Sequence, residues 1–242
     1  MQHLLVVGST SAVAQAFLRM HAQRGACLTL VARSAERLAP VAADARVRGA
    51  AAVRELICDL TNPAAIGAAL QQLDTPPNMA LIAHGSLTDS AHAEQDLDYL
   101  ARELTLNFTS ACLWAQALAS HMAAHGGGVL AVISSVAGDR GRGANHAYGA
   151  AKAGLTAFCS GLRARMLRRG VHVLTVKPGF IDTPMTAHLP KGPFWSTPEA
   201  VAKGIDRAMA RRRDVVYLPP LWRPILSVIR HLPEPLFKRL TF

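Results

Sequence analysis

The chain has 242 residues, of which 50% are hydrophobic and 17% are charged, and its formal net charge is +10 at pH 7. This composition excludes a disordered chain, and no run approaches the ~18 apolar residues that a membrane-spanning helix needs. The first residues lack the basic segment of a signal peptide, and the four cysteines form no C-x-x-C pair. We therefore expect a cytoplasmic protein with no metal site and no disulfide framework.

Apolar runs of strand length alternate with amphipathic segments of helix length. The pattern predicts strands over 3–7, 27–32, 52–57, 79–83, 129–133, 171–177 and 215–218, and helices over 12–24, 34–47, 62–73, 94–124 with a break, 146–169 and 198–210. Such alternation is typical of βαβ units. We predict an α/β fold with a doubly wound parallel sheet of about seven strands and helices on both faces, where ligands bind at the carboxyl ends of the strands.

The turn after the first strand and the end of the second strand carry candidate phosphate-binding residues. The turn runs from Gly8 to Ala14, and backbone N–H groups at a helix N-terminus can receive a pyrophosphate. No acidic residue stands at 32 to 34 to accept from ribose hydroxyls. Arg33, with Arg37 one turn on, can instead pair with a 2′-phosphate, which favours NADP over NAD; the alternative is a surface arginine.

A serine, a tyrosine and a lysine follow the predicted fifth strand at a distinctive spacing. Tyr148 comes thirteen residues after Ser135, and Lys152 four residues later, about one helical turn. The lysine charge should lower the pKa of the tyrosine, and the serine hydroxyl can hold a carbonyl oxygen against the phenol. Together they predict a proton donor for a carbonyl that receives a hydride, although a Tyr and a Lys so spaced also occur by chance on solvated helices.

The pattern Ser-(x12)-Tyr-x-x-x-Lys resembles the short-chain dehydrogenase/reductase family in its single-domain branch, over about residues 1–218. The resemblance implies a Rossmann-type fold, an NADP(H) cofactor and catalytic roles for Asn107, Ser135, Tyr148 and Lys152. It also implies a cofactor site made of Gly8, Thr10, Ser11, Ala12, Val13, Arg33, Ser34, Asp59, Leu60, Ala83, Gly85, Tyr148, Lys152, Pro178, Gly179, Ile181 and Thr183.

Two of these cofactor-binding segments depart from the family pattern or allow a second interpretation. The family has three glycines in the first turn, whereas this chain keeps Gly8 and has Ala12 and Ala14 at the other two places. Asp59 matches the family aspartate that accepts from the adenine amino group. It could instead cap the helix that begins near Asn62.

The fourth strand and the long helix after it carry further matches. The strand ends in Ala83-His84-Gly85, where the family has Asn-Asn-Ala-Gly, so the glycine is retained. We interpret His84 as structural rather than catalytic. Asn107 matches the family asparagine that disturbs a helix and holds a water leading from the lysine to solvent.

The segment after the sixth strand resembles the family element that grips the nicotinamide carboxamide, with the Thr183 hydroxyl and the Ile181 backbone as partners. A substrate lid is then expected over about 185–197. Within it, Phe194 and Trp195 could cover an apolar substrate or simply pack the lid down.

Residues 219–242 are predicted to be a basic and apolar tail rather than a separate domain. Seven Lys/Arg and two Asp/Glu lie between Arg211 and Phe242. Helical spacing places Leu221, Ile225, Val228, Ile229 and Leu232 on one stripe, with Arg223, Ser227, Arg230 and His231 opposite. The stripe could lie in a membrane interface beside anionic lipid or pack across a subunit interface, and both interpretations stay open.

The run SSVAGDRGRGANHAYGAAKAG is similar to that of the family's decaprenylphosphoryl keto-pentose reductases, which act on lipid-linked sugars. On that similarity, Arg140 and Arg142 would suit a phosphate-bearing substrate and the tail would suit a polyprenyl chain. Arginines in a glycine-rich loop are, however, usually just solvated.

We therefore predict an NADPH-dependent reductase that converts a ketone, in one version a lipid-linked keto-sugar, into a secondary alcohol. We expect a homodimer or homotetramer, either free in the cytoplasm or at the inner face of the membrane. Alternatives are a reductase of a soluble ketone of the β-ketoacyl or ketosteroid type, and a non-catalytic NADP-binding regulatory protein. Nucleic-acid binding through the basic charge is not predicted, because no aromatic-interleaved patch or binding motif accompanies it.

Overall fold

In residues 2–239, which the computed structural model describes, seven strands form one parallel sheet in the order β3-β2-β1-β4-β5-β6-β7. The strands are β1 His3–Val7, β2 Cys27–Ala32, β3 Ala52–Ile57, β4 Met79–Ile82, β5 Gly128–Ile133, β6 Val171–Pro178 and β7 Val215–Leu218. The α-helices are α1 Ala12–Ala22, α2 Ala35–Val47, α3 Pro63–Gln71, α4 Ser90–Gln95, α5 Leu97–Leu104, α6 Ser110–Ala124, α7 His146–Met166, α8 Pro198–Ala210, α9 Trp222–His231 and α10 Glu234–Phe237.

The strand order reverses beside β1, which pairs with β2 on one side and with β4 on the other. The connections between strands therefore run from the middle of the sheet toward both of its edges. A crevice lies between these two sets of connections, at the carboxyl ends of the strands. The predicted Rossmann-type, doubly wound sheet is confirmed.

The sheet is buried on both faces, and β1 shows why. Leu4 and Val6 belong to the core beneath α1, α2 and α8, whereas Leu5 and Val7 belong to the core beneath α3, α6 and α7. Successive strand side chains point to opposite faces, so a strand covered on both sides must be apolar throughout. This is the reason that short continuous apolar runs marked the strands in the sequence.

Side-chain caps set most helix starts close to the predicted positions. Ser11 accepts from Ala14 N in α1, Ser34 accepts from Arg37 N in α2, and Asn62 accepts from Ala64 N in α3. The predicted helix over 94–124 is wrong in one respect, because a separate helix, α4, already begins at Ser90. Its predicted break is a π-helical turn over Thr105–Thr109 between α5 and α6.

The packed face of the tail agrees only in part with the predicted stripe. Trp222 and Leu226 are buried with Val136, and Ile225 and Ile229 of the stripe pack against them, whereas Leu221 and Val228 are 53% and 66% exposed. Leu221 and Val228 therefore do not share the packed face. The assignment of 219–242 to a tail of the 1–218 domain stays a prediction, and residues 1 and 240–242 lie outside the described part. Within that part, none of the helices combines the length and the apolar character needed to cross a membrane.

Candidate active site

A cavity of about 410 Å³ opens at the carboxyl ends of the strands. Every predicted site residue except Ser34 lines it; Ser34 caps α2 instead. The predicted residues in its wall are Gly8, Thr10, Ser11, Ala12, Val13, Arg33, Asp59, Leu60, Ala83, Gly85, Asn107, Ser135, Tyr148, Lys152, Pro178, Gly179, Ile181 and Thr183.

The first turn is shaped by the close approach of two strand ends. Gly8 has φ +79°, and a Cβ at this position would lie 2.6 Å from His84 N, so only glycine fits. Ser9 Oγ donates to Val6 O at 2.8 Å and holds the turn. Ala14 is fully buried in the core, and Ala12 lines the cavity at the start of α1. An alanine is thus accommodated at both places where the family has glycine, and the N-terminus of α1 still faces the cavity.

One end of the cavity carries two arginines and an aspartate. Arg33 and Arg37 are exposed, and among the described residues neither has an acidic side chain within ion-pair distance. The backbone and hydroxyl of Thr61 donate to Asp59 at 2.9 Å and 2.7 Å, and these bonds, with a smaller contribution from Arg33, lower the pKa of Asp59. Since Asn62 caps α3, the alternative that Asp59 caps this helix is wrong.

Ser135, Tyr148 and Lys152 meet in the middle of the cavity. Ser135 follows β5 and accepts from Ala137 N at 3.1 Å, and Lys152 Nζ lies 5.7 Å from the centroid of the Tyr148 ring. Burial lowers the pKa of Lys152 to about 8. Burial also raises the pKa of Tyr148, and the hydrogen bond with Ser135 offsets part of this rise. Desolvation of the phenol is the larger of the two effects, so its pKa lies above the usual value, and the expected lowering by Lys152 is not among the causes of the shift.

Asn107 lies in the π-helical turn and reaches the cavity next to Lys152. In this turn Ser110 N donates to Thr105 O, which is the i→i+5 bond that widens the helix. A Cβ on Gly85 would lie 2.8 Å from Asn107 Oδ1 and 3.6 Å from Lys152 Nζ. Gly85 is required here, with φ +149°, because the two side chains converge on it.

His84 lies in the cavity wall, yet it is buried and its ring contacts Ser110 of the core. Its Nε2 lies 2.9 Å from Ser110 Oγ, which itself donates to Leu60 O at 2.6 Å. The serine proton is thus used, so His84 Nε2 must be the donor. Burial lowers the pKa of His84 to about 3 and keeps the imidazole neutral. These contacts agree with a structural role for His84.

The sequence interpretation missed a buried charged cluster directly behind the Ser135 loop. Lys177 Nζ forms an ion pair with Asp139, whose other oxygen accepts from Tyr217 OH at 2.7 Å. The side chains of Lys177 and Asp139 are only 7% and 2% exposed. A lysine inside the apolar run of β6 was a signal that a buried acid would be needed to pair with it.

The two loop arginines differ sharply in environment. Arg140 donates to Ile229 O at 2.8 Å and to Leu232 O, pairs with Glu234 and lies over the Phe237 ring. It therefore holds the tail, and the suggestion that it meets a substrate phosphate is wrong. Arg142 lines the cavity, half-buried, and in the described part of the chain no acid lies within ion-pair distance of it.

The predicted lid carries aromatic rings that contact both the turn after β6 and the tail. Phe180 and Trp195 stack with their centroids 5.5 Å apart, and Phe194 meets the edge of Trp222 at 6.0 Å. Trp222 also covers Gly179 so closely that a Cβ there would clash with its ring. The rings of Phe194 and Trp195 thus pack the segment down in this structure, and the lid function stays a prediction.

Comparison with known proteins agrees with this geometry. The family model for short chain dehydrogenases matches residues 2–193. An uncharacterized oxidoreductase of Mycobacterium tuberculosis is 38% identical over 219 residues, which cover 89% of this chain and 88% of that protein. An uncharacterized oxidoreductase of Streptomyces coelicolor is 35% identical over 244 residues, covering 98% and 95%. A short-chain dehydrogenase of Sphingobium yanoikuyae in complex with NADPH has a TM-score of 0.81 at 24% identity, covering 97% of each chain. The chain therefore belongs to the short-chain dehydrogenase family of oxidoreductases.

Proposed function

We propose that this protein uses NADPH to reduce a ketone to a secondary alcohol. The observation that carries the proposal is the convergence of Ser135, Tyr148, Lys152 and Asn107 in a cavity whose far end has two arginines without an acidic partner among the described residues. Thr10, Ser11, Ala12 and Val13 line that cavity at the N-terminus of α1, which suits a pyrophosphate.

Bound NADPH supplies the hydride, and the chain supplies the proton and the orientation. The Ser135 hydroxyl holds the carbonyl oxygen, and Tyr148 donates its phenolic proton as that oxygen gains charge. Tyr148 must be protonated before the transfer, and burial of the phenol favours that neutral form. Lys152 holds the ribose, and Asn107 maintains the path by which a proton returns to the phenol. General acid catalysis of this kind contributes roughly 10²–10⁴-fold.

A panel of ketones with NADPH tests the proposal against the non-catalytic alternative. We expect oxidation of NADPH that depends on at least one ketone, followed by the decrease in NADPH absorbance. Measurable NADPH binding without turnover of any ketone in a panel of cyclic, acyl and sugar ketones would support the regulatory alternative instead. That alternative draws on the altered first turn and the missing Asn-Asn pair.

Cofactor choice depends on Arg33 in this proposal. Arg33→Asp should reduce the preference for NADPH over NADH by roughly 10-fold or more, because a charged hydrogen bond to the 2′-phosphate contributes about 1.5–3 kcal/mol. The measurement is kcat/KM with each cofactor. Arg211→Ala, which removes an exposed arginine outside the cavity, is the matched control. An unchanged ratio in Arg33→Asp would show that the phosphate is held elsewhere or that NADPH is not preferred.

For the substrate, we propose a ketone that bears a phosphate and an apolar chain, as in a lipid-linked keto-sugar. Arg142 is a half-buried cation in the cavity wall with no acid paired to it in the described residues, so a substrate anion could supply the missing charge. Leu87, Met185 and Leu189 give the same cavity apolar walls. Leu221 and Val228 of the tail are exposed, and the tail also exposes Arg223 and Arg230, which suits contact with the inner face of an anionic membrane.

Point substitutions test this membrane contact better than deletion of the tail. Removing 219–242 would uncover Val136, next to Ser135, and damage the site for every substrate. Leu221→Ser with Val228→Ser should instead weaken binding to anionic liposomes by roughly 10-fold or more, since each apolar side chain contributes up to about 1.5–3 kcal/mol when buried. We expect turnover of a polyprenyl-phosphoryl ketone to fall while turnover of a small ketone is unchanged.

The control is Val47→Ser, which removes an apolar side chain that is 87% exposed on α2. If the intact protein ignores liposomes and the double variant changes oligomeric state, the exposed face is a subunit interface of the predicted dimer or tetramer. A soluble β-ketoacyl or ketosteroid substrate would then replace the lipid-linked one.

A further inference from the structure

A half-buried carboxylate lies beside Asn107 and has no part in the proposed reaction so far. Glu103 is one helical turn before Asn107, near the end of α5. Its Oε2 accepts from Ser86 Oγ at 2.7 Å, from Thr88 Oγ1 at 2.9 Å and from Asn107 Nδ2 at 3.3 Å. Within residues 2–239 no Lys, Arg or His lies within ion-pair distance of it, so hydroxyl and amide donors are what hold this carboxylate.

These contacts determine which way round the Asn107 amide lies. Asn107 Oδ1 accepts from Ser86 N at 3.0 Å, and Nδ2 donates to Ser86 Oγ at 3.2 Å as well as to Glu103. With the amide reversed, Nδ2 would face the N–H of Ser86, and Oδ1 would face the carboxylate oxygen. Both contacts would be repulsive, so Glu103 and the Ser86 backbone together permit a single orientation.

That orientation matters because of what lies on the other side of Asn107. Asn107 Oδ1 and Lys152 Nζ both lie close to Gly85, at 2.8 Å and 3.6 Å from the position that a Cβ there would take. The oxygen of the amide, rather than its N–H₂ group, is therefore turned toward the Gly85–Lys152 side of the cavity. An acceptor on this side favours a protonated lysine or a hydrogen-bonded water next to it, whereas a donor would oppose both.

We propose that Glu103 is a positioning residue for the reaction: it locks the Asn107 amide and so keeps an acceptor beside Lys152. The inference rests on the proposed ketone reduction. In each turnover the Tyr148 proton passes to the substrate oxygen, and one proton from solvent must restore the phenol. Glu103 acts on this restoring step through Asn107 and is not itself among the residues that line the cavity.

This role predicts that loss of Glu103 slows proton transfer and leaves the binding of cofactor and ketone unchanged. In Glu103→Ala the carboxylate is lost and the amide can rotate, so we expect kcat for ketone reduction to fall about 10-fold, as for other losses of orientation. The Kd for NADPH and the KM for the ketone should stay within about 2-fold, since Glu103 does not line the cavity. In D₂O the solvent isotope effect on kcat should increase, and the effect of 4-deuterated NADPH should decrease, because proton return becomes slower than hydride transfer.

Glu103→Gln is the conservative variant, because its amide oxygen can still accept from the same donors. It should recover most of the kcat that Glu103→Ala loses. Asp98→Asn, an exposed acid in the same helix, is the matched control and should behave as wild type.

Several results would overturn the proposal. These are a wild-type kcat in Glu103→Ala, equal losses in the alanine and glutamine variants, or a loss explained by a lower melting temperature without any change in the isotope effects. Absence of ketone turnover in the wild-type protein would instead overturn the proposed function and this role with it. The two failures are thus distinguished by the wild-type assay alone.

Discussion

Tyr148→Phe should keep NADPH binding and lose ketone reduction. The substitution removes one hydroxyl from a half-buried ring in the cavity wall and leaves the ring to fill the same space, so the fold and the cavity walls should persist. Without the phenolic proton, the substrate oxygen must take its proton from water. We expect kcat to fall by roughly 10²–10⁴-fold, the usual contribution of a positioned general acid.

The measurements are single-turnover oxidation of NADPH and the Kd for NADPH from fluorescence titration. Tyr99→Phe is the matched control, because Tyr99 OH takes part in a hydrogen bond from Asp89 N outside the cavity. Near-normal turnover by Tyr148→Phe would remove the assignment of Tyr148 as the acid. Loss of NADPH binding in the same variant would show that the phenol holds the cofactor more than it serves the chemistry.

Breaking the buried ion pair between Lys177 and Asp139 should lower the free energy of unfolding more than the other substitutions proposed here. In Lys177→Met the Asp139 carboxylate, whose side chain is 2% exposed, keeps the Tyr217 hydroxyl but loses its only cation among the described residues. Removing one partner of a buried pair costs roughly 3–5 kcal/mol in the free energy of unfolding. At about 2–4 °C per kcal/mol for a chain of this size, the melting temperature should fall by roughly 6–20 °C.

Two further variants test whether the lost stability comes from the unpaired charge of Asp139 and whether it depends on burial. Lys177→Met with Asp139→Leu removes both charges and should recover most of the lost stability, since an apolar pair can replace a buried ion pair. Lys191→Met breaks the pair with Asp182, in which both side chains are about half exposed, and should cost only about 0–1 kcal/mol. If Lys177→Met were as stable as Lys191→Met, the Lys177–Asp139 pair would not stabilise the Ser135 loop. Water would then have to reach the Asp139 carboxylate.

The sheet and the cluster of Ser135, Tyr148 and Lys152 could be predicted from the sequence, because the patterns that indicate them involve only neighbouring residues. Strands covered on both faces must be continuously apolar, as β1 is from Leu4 to Val7. Four residues in a helix bring Tyr148 and Lys152 to one face wherever the helix lies. Gly8 and Gly85 were also identifiable, since each sits where a strand ends and where the close approach of another chain segment excludes a side chain.

Partner choice and desolvation, by contrast, were decided by the tertiary structure alone. Arg140 finds the carbonyls of Ile229 and Leu232 some 90 positions further along the chain, and nothing in its own loop indicates this. Glu103 could not be distinguished from any exposed helical acid until Ser86 and Thr88 were placed against it. Tyr148 and Lys152 have the predicted spacing, yet the pKa of the phenol depends on how much water the surrounding segments exclude. Backbone periodicity is a property of a few neighbouring residues, whereas hydrogen-bond partners and burial depend on which distant segments the fold brings together.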